Sequence, residues 1–153
     1  MTPELAFSAA NFAAVLSWVL LVVLPGRRWV SDTVAGVAVP ALLAVVYILL
    51  IATNWGSSAG GFSTLANVAL LFANPWMLLA GWVHYLCFDL LIGCWEVRDA
   101  RERGVPHLLV VPCLALTFMF GPAGWLLYRA IRAGRRAGPA SRPRKMPPAS
   151  RTV

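Results

Sequence analysis

The chain has 153 residues, 59% of them hydrophobic and 12% charged, with a mean hydropathy of +0.72. Soluble domains average about 45–50% apolar and about 25% charged residues, so this composition excludes a disordered chain, a nucleic-acid module and most soluble enzymes. The net charge of +7 is local: eight of the 13 Lys and Arg residues lie at or after Arg129, while Met1 to Tyr128 holds five Arg against six acidic residues.

A membrane span needs about 20 largely apolar residues to cross about 30 Å of hydrocarbon. Four stretches meet that need, at about 9–25, 36–53, 76–95 and 107–128. The first is free of charge up to Pro25-Gly26-Arg27-Arg28. It reads as a span rather than a signal peptide, because Met1 to Phe7 lacks a basic region and carries Glu4. The second holds Pro40 in its first turns, where a missing N–H costs least.

An uncharged loop, Asn54 to Gly61, then leads into Phe62 to Ala73. That segment is helical in character but short for a span, and suits a re-entrant or interfacial helix. Asn74-Pro75 opens the third span, and a charged loop from Glu96 to Arg103 closes it. The fourth span begins at His107 and is interrupted by Gly121-Pro122. The expected fold is therefore all-α: a multi-pass bundle of four spans plus one partial helix over residues 1–131.

Residues 132–153 read as a basic, disordered tail, since Arg, Pro, Ala, Gly and Ser cannot bury a core. Lys and Arg favour the cytoplasmic side, so the tail places the C-terminus in the cytoplasm, at the inner membrane of a bacterium. Four spans put both termini there and leave Arg27 and Arg28 facing outward, against the same rule. Membrane lipids are expected partners; nucleic acid is not.

The third span contains Gly81-Trp82-Val83-His84-Tyr85-Leu86-Cys87-Phe88-Asp89-Leu90-Leu91-Ile92-Gly93. An ionisable residue at this depth costs about 2.5–3.5 kcal/mol on insertion scales and is a functional candidate by default. At 100° per residue, Trp82, Tyr85, Asp89, Gly93 and Glu96 share one face, and His84 lies about 140° from Asp89. Two readings stand for this pair. Asp89 and His84 are proton donor and acceptor in a water-poor site. Alternatively they are structural, with Asp89 bridging to Arg98, Asn74 or Thr117.

Trp82, Tyr85 and Phe88 lie too deep for an interfacial aromatic belt and suit the lining of a lipid-like ligand. Gly121 and Pro122 leave room for helix approach or ligand access. His107, Glu96, Asp99 and His84 have no recognised metal spacing. Cys87, Cys94 and Cys113 form no CxxC pair and read as small apolar packers. Nothing in the sequence calls for a cofactor.

Gly81-Trp82-Val83-His84-Tyr85 followed by Asp89-Leu90 and Gly93 resembles the neoxanthin synthase type of protein, the abscisic-acid-deficient-four-like family. The likeness continues through Asp99, His107, Pro112-Cys113-Leu114, Thr117 and Phe120-Gly121-Pro122-Ala123-Gly124 to Leu127 and Tyr128, and takes in Gly61-Phe62 and Phe72. It is dense from about 61 to 128, weaker over the first two spans and absent from the tail.

The resemblance implies a small multi-pass membrane protein and, in plants, a part in converting violaxanthin to neoxanthin. That step opens an epoxide and creates an allene without net redox change. It needs an acid on the epoxide oxygen and a base for a carbon-bound proton, and Asp89 and His84 are the candidates. The expected function is thus carotenoid or polyene isomerisation in the bilayer. The alternative is a non-catalytic protein that binds a lipid or pigment or helps assemble a membrane complex.

Overall fold

The computed structural model describes residues 2–136, and the regular elements within them are all helices. α1 (Pro3–Val23) begins where the Thr2 hydroxyl accepts the N–H of Leu5 at 3.3 Å, with Pro3 supplying the fixed φ of a first helical position. α2 (Val30–Ser57) is a continuous rod in three registers: π-helical over Val30–Ala38, α-helical over Val39–Asn54, and a closing turn of 3-10 helix at Trp55–Ser57. Pro40, with no N–H for the preceding turn, sits where the wide π turns give way to α turns. α3 (Leu65–Phe72), α4 (Pro75–Glu102), α5 (His107–Phe120) and α6 (Pro122–Arg136) follow.

α1, α2 and α4 are long and apolar enough to cross a membrane. α4 is the axis against which the others pack. α2 runs antiparallel to it: Asp32 meets Arg101 at one end, the Cys87 thiol points to the Pro40 carbonyl at 3.4 Å in the middle, and Asn74 donates to the Ser58 hydroxyl at the other end. α1 runs parallel to α4, with Asn11 level with Trp82 and the Trp18 ring lying over Gly93. Gly93 has to be a glycine, since a Cβ there would stand inside that ring.

The stretch 107–128, expected as a fourth span, is not one continuous helix. It is α5 and the first half of α6, folded back on each other at Gly121, whose φ of +39° turns the chain. His107 reaches the Val22 carbonyl (2.9 Å) beside the end of α1. On the return leg, Tyr128 and Arg132 both reach Asp99, near the end of α4. Both feet of the hairpin therefore stand at one end of the bundle. The tip at Gly121 lies against Asp89, midway along α4. Fourteen residues of α5 rise about 21 Å, short of a bilayer's hydrocarbon. Gly124 makes the fold-back close, because a Cβ there would strike the Thr117 amide and the Cys113 carbonyl on α5.

Three long helices and a hairpin put Pro3 and Arg136 at opposite ends of the bundle, where four full spans would have put them at the same end. Residues 132–136, expected in the tail, complete α6, and Arg132 pairs with Asp99 at 3.2 Å. The rest of the expected tail, 137–153, lies outside the described residues. The partial helix expected over 62–73 is the eight-residue α3. Its Leu65 is 85% exposed, while Phe72 packs over Gly81.

Candidate functional site

Asn74 and Pro75 set α4 in place: the Asn74 side chain accepts the Trp76 N–H at 2.9 Å, and Pro75 takes the first helical position. From there, helical spacing sorts the side chains onto separate neighbours. Cys87 faces α2, Gly93 faces α1, and Tyr85, Asp89, Glu96 and Asp99 face the hairpin. The shared face expected for Tyr85, Asp89 and Glu96 is present, and it is the surface the hairpin covers.

The hairpin reaches only to Asp89, so the first half of α4 is uncovered on that side. An apolar groove of about 650 Å³ occupies the gap between the start of α1 and the start of α4. Phe7, Phe72, Leu78, Gly81, Trp82 and Tyr85 line it, and Glu4 and Ser8 stand among its few polar groups. The Trp82 indole donates to Asn11 Oδ1 at 2.9 Å, which fixes the ring between Phe7 (5.6 Å between centroids) and Tyr85 (5.3 Å). At the inner end, Tyr85 donates its hydroxyl to the Phe118 carbonyl at 2.9 Å, just before the hairpin tip.

One turn beyond Tyr85, Asp89 borders a second cavity of about 250 Å³, shared with Ile92, Gly121, Pro122 and Trp125. A Cβ at Gly121 would stand 2.8 Å from Asp89 Oδ1, so the tip can lie on the carboxyl only because residue 121 has no side chain. Asp89 Oδ2 is buried without a hydrogen-bond partner among the described residues. The bridging partners expected for it are engaged elsewhere: Thr117 donates to Glu96, Asn74 to Ser58, and Arg98 extends towards Gly36. A carboxyl oxygen left without a partner in an apolar setting is costly. It offers a ligand its hydrogen-bonding group at the middle of α4.

His84 stands elsewhere on α4. It is exposed, with its ring against Tyr47 of α2 (5.6 Å) and Phe88 (4.6 Å). It makes no hydrogen bond to Asp89, as the 140° separation implies. Phe88, 55% exposed, lies between them on the arc of α4 that neither α2 nor the hairpin covers. The structure thus brings Trp82 and Tyr85 together on the groove, and Asp89, Gly121 and Pro122 together on the adjoining cavity. Phe88 and His84 lie on the open surface beside them.

Glu96 is the polar residue that the sequence reading undervalued. It is fully buried, accepts from Thr117 at 3.0 Å through Oε1, and leaves Oε2 without a partner among the described residues. The third span was expected to stop at Trp95, which put Glu96 in an aqueous loop; α4 instead runs on to Glu102. The spacing Tyr85–Asp89–Gly93–Glu96, continued one turn, is the signal that marks it as inward-facing. Among the described residues, no three His, Cys, Asp or Glu side chains gather as a metal site, and Cys87, Cys94 and Cys113 are free and buried.

A family model described as ABA4-like, ABA DEFICIENT 4-like, matches residues 5–128. That range runs from the first turn of α1 to Tyr128, so it takes in the lining of both cavities apart from Pro3 and Glu4. No curated protein and no solved structure matches the chain.

Proposed function

The chain belongs to the ABA4-like family, and on that premise we propose that it is an integral membrane protein that takes up a carotenoid or similar polyene and rearranges its oxygenated end by acid–base chemistry. One observation carries the reading: an apolar groove ends one turn from a half-buried carboxyl whose Oδ2 makes no hydrogen bond among the described residues.

In this reading α1, α2 and α4 cross the bilayer. The α5–α6 hairpin enters from the arginine-bearing end and turns back near mid-membrane. Broken helix at such depth is tolerated where protein covers it, and Gly121 is covered by Asp89. The arginine-bearing end faces the cytoplasm. This arrangement removes the conflict that four spans created, since Arg27 and Arg28 now stand on the same side as Arg132. The half of α4 left bare by the hairpin is open to lipid, and a long apolar ligand enters the groove from there.

Opening an epoxide to an allene breaks a C–O bond and forms an O–H bond, while a C–H bond is lost and a double bond forms. Asp89 gives the proton to oxygen, and His84 takes the proton from carbon. His84 lines neither cavity, so this step requires the polyene to extend from Asp89 past Phe88 to the open surface where His84 stands. Carbon skeleton and oxidation state are unchanged, and no cofactor enters the step.

The second reading, binding without catalysis, is favoured by the lack of direct contact between His84 and Asp89. Purification of the protein from a carotenoid-producing host separates the two. A new isomer in the membrane extract supports catalysis, and an unaltered pigment retained by the protein supports binding alone. A colourless protein with an unchanged extract contradicts both.

A further inference from the structure

The described arginines are gathered at one end of the bundle. Arg27 and Arg28 lie in the α1–α2 turn, Arg98, Arg101 and Arg103 at the end of α4, and the rest on the returning leg of the hairpin. The other end, where α1 begins and α3 lies, has no Lys or Arg among the described residues. Acidic partners account for only part of this charge: Asp32 pairs with Arg101, and Asp99 with Arg103 and Arg132. Arg27, Arg28, Arg98, Arg129 and Arg135 have no ion pair among the described residues.

Two of these cations converge between helices. Arg98 and Arg101, one turn apart on α4, both lean towards the π-helical start of α2. Arg98 Nη1 comes within van der Waals distance of the Gly36 position, 3.5 Å from where a Cβ would be. Arg101 Nη2 is held by Ser31 Oγ and Asp32 Oδ1, each at 3.2 Å, while its Nη1 is buried without a hydrogen-bond partner among the described residues. The start of a helix also carries the positive end of its dipole. Asp32 offsets one of the two guanidinium charges and leaves a net positive notch. On α6, Arg129 stacks over Trp125 at 5.5 Å, on the returning leg of the hairpin.

We propose that this end of the bundle binds anionic phospholipid, with a headgroup phosphate seated between the start of α2 and the Arg98–Arg101 pair of α4. The opposite leaflet, facing the end with no Lys or Arg among the described residues, has no such preference. The inference is independent of what the groove holds.

The test titrates the detergent-purified full chain with phosphatidylglycerol, phosphatidylcholine or inorganic phosphate, and counts bound lipid by native mass spectrometry. Phosphatidylglycerol binds in preference to phosphatidylcholine, and added salt weakens it. Arg98→Gln lowers the affinity by about fivefold, equivalent to the roughly 1 kcal/mol that a juxtamembrane arginine contributes at an anionic surface. Arg98 has no ion pair to lose, so this variant keeps the fold where Arg101→Gln strands Asp32. A full-length variant with Arg142, Arg144, Lys145 and Arg151 changed to Gln retains the preference. Equal binding of the two lipids, an unchanged Arg98→Gln, loss of the preference with the four distal changes, or full competition by inorganic phosphate overturns the proposal.

Discussion

The Tyr128 hydroxyl donates to Asp99 Oδ2 at 2.6 Å, and this contact joins the returning leg of the hairpin to the far end of α4. Arg103 at 2.8 Å and Arg132 at 3.2 Å hold the other oxygen of the same carboxylate, and the Trp95 ring meets the Tyr128 ring edge-on at 5.5 Å. A tyrosine fully buried and bonded in this way keeps α6 parallel to α4, and so fixes where the tip at Gly121 meets Asp89.

Tyr128→Phe removes that bond and leaves the ring. Hydrogen bonds to charged groups are worth about 1.5–3 kcal/mol, and the variant loses stability in that range. Thermal unfolding in detergent checks it, with a fall in midpoint expected. Asp99→Asn strands Arg103 and Arg132 as well and falls further.

Gly124→Ala separates α5 from α6, because the new methyl group meets backbone at Thr117 and Cys113 rather than a flexible side chain. Overpacking of this kind costs about 1–3 kcal/mol. Gly134→Ala, ten residues further along the same helix, has open space around it and removes a helix-interior glycine. It is neutral or gains a fraction of a kcal/mol, of order 0.5–1 at most. Unfolding midpoints measured side by side fall for Gly124→Ala and stay level or rise for Gly134→Ala.

Cysteine accessibility distinguishes a hairpin from a fourth span. With Cys87, Cys94 and Cys113 buried, single cysteines at Thr2, Gly104 and Gly134 serve as reporters for a membrane-impermeant thiol reagent. The hairpin predicts that Gly104→Cys and Gly134→Cys react from the same side and Thr2→Cys from the other. A fourth span would instead put Thr2→Cys and Gly134→Cys together.

Three long apolar helices, the short α3 and the polar face of α4 were legible in the sequence because each rests on local spacing or on the length of an apolar run. The hairpin was not. A run such as His107 to Tyr128 has the hydropathy of a span whether it continues straight or doubles back. The fold-back is decided by the left-handed φ at Gly121 and by the absence of a side chain at Gly124, which matter only once the two legs touch. The same gap misplaced Glu96: its burial is created by Thr117 arriving on the returning chain. Asp89 was legible as an unusual residue, but its two neighbouring cavities depend on where the tip stops.

The central claim is that Asp89 acts on a polyene held beside the hairpin tip. Its most direct test is the pigment composition of carotenoid-producing cells expressing wild-type protein or Asp89→Asn at matched levels, read by chromatography. Loss of a positioned general acid costs about 10²–10⁴ in rate. The account predicts a rearranged isomer with the wild type and none above background with Asp89→Asn, while both proteins keep the same unfolding midpoint within experimental error. An undiminished isomer in the Asp89→Asn cells would contradict it.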